Sequence, residues 1–314
     1  MLSSARLAVI AQIAVHGSIA GAAEALHLTP SAVSHQLSRF EKEIGVALVE
    51  RGPRSLRLTD AGRRMAEHAE SIASLMREAQ EEVTALGQGR AGRLRIGFFS
   101  SGGIRMVPLA LSRFVAAHPQ AELGLLPGQT HELLPLLEQG SLDVAVVFDH
   151  SVMPYPVPPN LEVTGLLSDP QRVVMPARHP KAQRGTVALS DLADVPWIAT
   201  HGIPPTPPVL EKLCRDAGFV PEVRCRTDHY DVILGLVRAG LGVALVPVLG
   251  IPRNLEPGLA LAQIDGANVV RRISMVTRPG NPNPLVPEFG RALESAAATV
   301  QAELNGRTGT STGE

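Results

Sequence analysis

The residues best equipped for chemistry near the N-terminus are short hydroxyls, one imidazole and several guanidiniums between positions 29 and 57. Ser31, Ser34, His35, Ser38 and Arg39 fall on one side of a helix. Val33, Leu37, Phe40 and Ile44 step by four, three and four along the other side. Thr29 supplies a capping hydroxyl, Pro30 suits the first helical position, and Gly45 can end the run. Hydroxyls, an imidazole and a guanidinium near a helix N-terminus can meet base edges and phosphates in a major groove, although an ordinary solvated face uses the same residue types. Arg51, Arg54 and Arg57 follow around Gly52-Pro53, with Glu50 the only acidic residue in the loop. Such a hairpin-like wing offers its cations to phosphate.

Two further helices must position this face. Ser18 can cap a helix whose Ala22, Ala23 and Leu26 leave room for close packing. Thr59 can start a long helix with apolar Met65, Ala69, Ile72, Met76, Ala79, Val83 and Leu86, spaced alternately by four and three. That narrow seam needs a cover, and a second copy of the chain is the simplest one; packing on the chain's own C-terminal half is the alternative.

A chain of 314 residues calls for two or three cores. Hydrophobic residues at 45% and charged residues at 19% describe a globular protein, with no uninterrupted apolar run of membrane-spanning length and no signal segment, so a cytoplasmic location without membrane contact is expected. The net charge of -1 lends no global attraction to nucleic acid, and the case for DNA rests on local placement. Cys214 and Cys225 fit neither a disulfide framework nor a zinc pattern and read as structural thiols, with a redox switch as the alternative. No metal-protease, nucleophile-elbow or P-loop motif occurs, so no catalytic residue, metal or cofactor is expected. Gly87 to Gly92 fits GxGxxG but follows a helix pattern instead of a strand, which makes it a linker. His131-Glu132 and Asp149-His150 lack partners at catalytic or ligand spacing and read as solvated surface. From Arg93, apolar runs at Leu94 to Phe99, Leu142 to Phe148 and Val243 to Val246 alternate with helical patterns at Val107 to Val115 and Tyr230 to Ala239, an α/β arrangement.

The run from Ser18 to Gly45, with Leu48, Glu50-Arg51 and Leu58-Thr59-Asp60-Ala61-Gly62, resembles the DNA-binding signature of LysR-type transcriptional regulators, and the resemblance extends over nearly everything before Asn305. It implies a winged helix-turn-helix at 1–59, a dimerisation helix and hinge at 60–92, and an effector-binding domain at 93–304. That domain would be similar to type 2 periplasmic binding proteins, with two α/β lobes and crossovers near 165 and 267. Residues 305–314, rich in Gly and Thr, read as a disordered tail. Thr29, Pro30, Ser31, Ser34 and His35 match the family's DNA-contacting positions. His35 stands where arginine is common and Val49 where phenylalanine usually anchors the wing.

The resemblance also places a ligand between the lobes. Ser100 and Ser101 after the first strand are the best candidates, with Gly102, Gln129, Thr130, Thr200, His201 and Asp228 as further candidates, although ordinary turn chemistry uses the same residue types. The implied partners are a double-stranded DNA operator, a small organic acid or amino acid, a second copy in a homodimer or homotetramer, and RNA polymerase. With aromatic residues at 3%, no charged side chain singles out the ligand. Closure of the lobes on that ligand would change how the two halves of a dimer hold the operator. A solute-binding or enzymatic α/β protein without operator binding is the competing reading.

Overall fold

A computed structural model describes residues 3–51, 56–87, 92–202 and 208–309. The chain forms two compact units that meet in sequence at Gly92 and Arg93.

The N-terminal unit holds α1 (Ser4–His16), α2 (Ile19–Ala25), α3 (Pro30–Ile44), the two-stranded ribbon β1 (Val49–Arg51) and β2 (Leu56–Leu58), and α4 (Asp60–Gly87). Ser18 Oγ accepts from Gly21 N at 3.0 Å and Thr29 Oγ1 accepts from Ala32 N at 3.2 Å, so each helix of the pair starts on a hydroxyl cap. His27 adopts the left-handed conformation (φ 53°) in the turn between them. Val33, Leu37 and Phe40 are completely buried against Val9, Ile10, Ala22 and Ala23. Thr59 Oγ1 accepts from Gly62 N at 2.9 Å and donates to Ala47 O at 2.8 Å, joining the start of α4 to the wing. A Cβ at Gly62 would stand 2.0 Å from the Leu48 carbonyl, so only glycine permits this approach.

The C-terminal unit is an α/β domain of two lobes. Lobe I contains β3 (Arg93–Phe98), α5 (Ser100–Arg105), α6 (Val107–Ala117), β4 (Glu122–Pro127), α7 (Thr130–Glu138) and β5 (Val144–His150). The chain then crosses on β6 (Glu162–Pro176) into lobe II, with β7 (Thr186–Val187), β8 (Trp197–Ala199), α8 (Val209–Asp216), β9 (Val223–Arg226), α9 (Tyr230–Arg238), β10 (Val243–Pro247) and β11 (Leu259–Ile264). It returns on β12 (Val270–Thr277) and ends in α10 (Leu285–Gly309). The path across the sheets is β4-β3-β5-β12-β6-β10-β8-β9, with β11 beside β6 and β7 beside β11.

Both faces of each lobe are covered. Val144, Val146 and Phe148 of β5 join a core with α6 and α10, while Ala145 and Val147 pack under α7. This burial on both faces explains why β5 reads as a continuous apolar run. In lobe II, Leu213 and Cys214 of α8 cover one face, and Ile233 and Val237 of α9 the other.

Three expectations need correction. The outward crossover lies later than residue 165. Gly165 still pairs with Ser274 in lobe I, a bulge at Ile273/Ser274 absorbs the irregularity, and β6 changes partners only between Pro170 and Gln171. The return crossover, between β11 and β12 at 265–269, does include residue 267 and needs no correction. Residues 305–309 are not a disordered tail but the last turns of α10, because Leu304 is fully buried and Gln301 Nε2 donates to Asn305 Oδ1 at 3.0 Å. Extending an anchored helix fixes one residue per hydrogen bond and needs no new nucleus. Residues 310–314 lie outside the described residues. Finally, Ala69 is buried in the core of its own unit and Met65 is half-buried against that core, so neither offers a partner helix the open surface that the spacing predicts. Among the described residues, no single helix is long and apolar enough to cross a membrane.

Candidate functional site

Two surfaces concentrate polar chemistry. The first is the outer face of α3 with the wing. Thr29, Pro30, Ser31, His35 and Arg39 are exposed and Ser34 is half-buried. Thr29 Oγ1 also lies 3.0 Å from Ser31 Oγ, so the capping hydroxyl orients a second hydroxyl at the helix start. Glu41, on the same helix, accepts from Leu48 N at 2.9 Å and Val49 N at 3.2 Å, fixing the ribbon to α3. Val49 is buried and pairs with Leu58, so the smaller side chain still anchors the wing. Arg57 is exposed and stands opposite Glu50 across the ribbon. Arg54 and the side chain of Arg51 lie outside the described residues. On α4, Ile72, Met76 and Val83 are exposed at 37%, 55% and 69%, Ala79 is exposed, and Leu75, which the heptad reading passed over, joins them at 60%. The Leu86 side chain lies outside the described residues.

The second surface is a cavity of about 340 Å³ between the two lobes. Ser100, Ser101, Gln129, Thr200, His201 and Asp228 all line it. Gly102 and Thr130 do not. A Cβ at Gly102 would sit 2.8 Å from the Phe99 ring, so this glycine lets the ring lie over α5. Thr130 is buried, with Oγ1 donating to Phe148 O at 2.9 Å and accepting from Phe148 N at 3.2 Å, which ties α7 to β5. His201 is held by Asp228, which accepts from its backbone N at 2.9 Å and stands 3.0 Å from Nδ1. Arg226 Nη1 donates to Thr200 O at 3.0 Å and fixes the neighbouring wall.

A charged side chain absent from the sequence-based site also lines the cavity. Arg271 lies at the floor of the cavity, 1% exposed, and is ion-paired with fully buried Asp169. Its Nε and Nη2 donate to Asp169 Oδ2 at 3.1 and 2.6 Å, and Nη2 also donates to Ser101 Oγ at 2.9 Å. Phe99, Phe148 and Tyr230 surround the guanidinium carbon with centroids at 5.1, 4.7 and 5.9 Å. A charge this buried requires such pairing. Nη1 has only a 3.5 Å contact with Tyr230 Oη, leaving it as the donor best placed to serve a ligand. The signal in the sequence was alternation: Arg271 shares its strand face with inward Ile273 and Met275. His131, Glu132 and His150 also line the cavity, contrary to their reading as solvated surface. Burial, and then the charge of Arg271, push the His150 imidazole down to about 3, so it is neutral at ordinary pH.

These two surfaces coincide with two family signatures. The sequence model for the bacterial regulatory helix-turn-helix protein of the lysR family matches residues 4–63, and that for the LysR substrate binding domain matches residues 87–298. The chain belongs to the LysR family. It is a DNA-binding transcriptional regulator with an effector-binding domain. Among LysR-family relatives, the hydrogen peroxide-inducible genes activator of Pectobacterium carotovorum is 28% identical over 94% of both chains. A probable RuBisCO transcriptional regulator of Chlorokybus atmophyticus is 27% identical, covering 87% of this chain and 88% of its own. Among solved structures, CbnR, a LysR family regulator, has a TM-score of 0.63 at 24% identity, covering 94% of this chain and 99% of its own, a likeness of fold. A cysteine-to-serine mutant of Corynebacterium glutamicum OxyR with hydrogen peroxide bound has a TM-score of 0.57 at 27% identity, covering 97% and 95%.

Proposed function

We propose that this LysR-family chain acts in the cytoplasm as a homodimer, or a pair of dimers, with the outer face of α3 in the major groove of an operator. Thr29, Pro30, Ser31, Ser34, His35 and Arg39 read or position the DNA, and Arg51, Arg54 and Arg57 hold its backbone. The observation that carries this reading is the exposed, hydroxyl-capped start of α3 beside a wing anchored through Glu41. Exposed Ile72, Leu75, Met76, Ala79 and Val83 on α4 support dimerisation through that helix. A small molecule in the cavity around Ser100, Ser101 and Arg271 is the effector, and RNA polymerase is the further partner through which transcription is changed.

The neutral His35 imidazole gives one donor and one acceptor where a guanidinium would give a charged fork, so the base step it meets is read less stringently. Peroxide sensing through Cys214 does not fit this chain. Cys214 is buried, and burial together with Glu211 pushes its thiol up to about 12, leaving almost no reactive thiolate.

Fluorescence anisotropy with the intergenic duplex beside the protein's own gene tests the reading. Nanomolar binding that weakens steeply between about 50 and 200 mM salt is expected. Absence of duplex binding at low ionic strength would refute it.

A further inference from the structure

The cavity between the lobes carries a charge pattern that chooses between an organic acid and an amine-bearing effector. Its one cationic side chain among the described residues, Arg271, is already neutralised by Asp169, which stands behind it and does not line the cavity. The pair therefore presents a dipole, with its positive end and the underused Nη1 toward the ligand, suited to an acceptor oxygen of a ligand whose own negative charge is balanced by a cation. Apart from the imidazoles of His131, His150 and His201, the remaining formal charges of the lining are two carboxylates, Glu132 from lobe I and Asp228 from lobe II. Glu132 is exposed and spends one oxygen on the Gln129 amide at 2.6 Å, and Asp228 is engaged by His201. A carboxylate ligand without a cation would add a third negative charge to this mouth, whereas an ammonium group is attracted by both acids.

We propose that the effector carries an ammonium group and a hydrogen-bond acceptor, as an amino acid does, with the ammonium between Glu132 and Asp228 and the acceptor toward Arg271. The inference rests on the reading of this cavity as the effector site. It also supplies a reason for closure: like charges on opposing lobes disfavour their approach, and a bridging cation removes that opposition.

The test uses the purified full-length protein and three matched sets of probes: amino acids of three to nine carbons, their deaminated carboxylates and their decarboxylated amines. Binding is measured by calorimetry, with the operator footprint as a second readout. At least one amine-bearing probe should bind roughly tenfold more tightly than its deaminated counterpart, the scale of one charge-assisted hydrogen bond. Glu132→Gln and Asp228→Asn, which keep an acceptor for Gln129 and His201, should each remove most of that preference without weakening any carboxylate. A general structural defect would weaken every probe alike. Binding confined to deaminated carboxylates, or a preference unchanged in both variants, overturns the amine assignment and leaves the cavity as effector site. No binding by any probe, with the footprint unmoved, overturns the effector reading as well.

Discussion

Asp169 and Arg271 face each other on the two strands that cross between the lobes, with Asp169 Oδ2 2.6 Å from Nη2 and 3.1 Å from Nε of the arginine. The same carboxylate accepts from Leu249 N at 3.0 Å, while Arg271 reaches Ser101 in lobe I. One ion pair thus joins the hinge, the turn after β10 and the cavity floor.

Asp169→Asn should therefore be among the most destabilising single changes in the C-terminal unit. It leaves the Arg271 charge buried without compensation, at a cost of about 3–5 kcal/mol. Thermal melting should show a fall of at least about 6 °C. A double change, Asp169→Asn with Arg271→Met, should recover most of the loss, since it removes the uncompensated charge and keeps an acceptor for Leu249 N.

His150 sets a pH dependence of stability. Its folded pKa of about 3 lies below the ordinary value of 6.5 because burial and Arg271 penalise the charged ring. Between those values the unfolded chain binds more protons than the folded one, so stability rises with pH across that window and falls on acidification below about 6.5. The slope contributed by this residue approaches about 1.4 kcal/mol per pH unit. Urea titrations at pH 5 and pH 7 should show the loss, and His150→Gln should flatten it.

How much of this could be read from the residues alone differs by element. Period was decisive in α3, where Val33, Leu37 and Phe40 step along one face and all are completely buried. The wall of the cavity was legible where turn residues follow strands, at Ser100, Ser101 and Thr200, because strand ends in α/β lobes face a cleft. Its floor was not. Arg271 has the residue type of a surface and the position of a core, and only the long-range partner Asp169, 102 positions away, makes that combination stable. The composition of residues 305–309 argued against a helix, but burial of Leu304 outweighed local propensity.

Arg57 and His35 should separate backbone from base contacts at the operator. Arg57→Ala is expected to weaken binding to all sequences alike and to reduce the slope of log affinity against log salt by about one. His35→Ala should leave that slope unchanged and alter discrimination at one base step. Anisotropy on a set of single-base operator variants, each at three salt concentrations, measures both effects.

Cys214 should be inert to oxidants. Its thiol is fully buried and held near pKa 12, so the thiolate fraction at neutral pH is about one part in a hundred thousand. Hydrogen peroxide at concentrations that oxidise ordinary exposed thiols should leave operator affinity unchanged. Iodoacetamide should label the half-buried Cys225 before Cys214, as mass spectrometry of tryptic peptides would show. Peroxide-dependent binding abolished by Cys214→Ser would contradict this.

The exposed half of the α4 stripe provides the sharpest test of assembly. Ala69 is buried and Met65 half-buried in their own unit, so a partner helix has Ile72, Leu75, Met76, Ala79 and Val83 to cover. Met76→Glu places a charge in the middle of that seam without touching the core of either unit. Burying an unpaired carboxylate costs several kcal/mol, enough to shift a nanomolar dimer to the micromolar range. Sedimentation velocity at 1 µM should show the wild-type chain as a dimer or larger and the variant as a monomer, with helical content and melting of the isolated subunit preserved. Operator affinity should fall with it, because two α3 helices bound to successive grooves share one loss of translational freedom and a single helix must meet that cost alone. A variant that stays dimeric would move the interface away from α4.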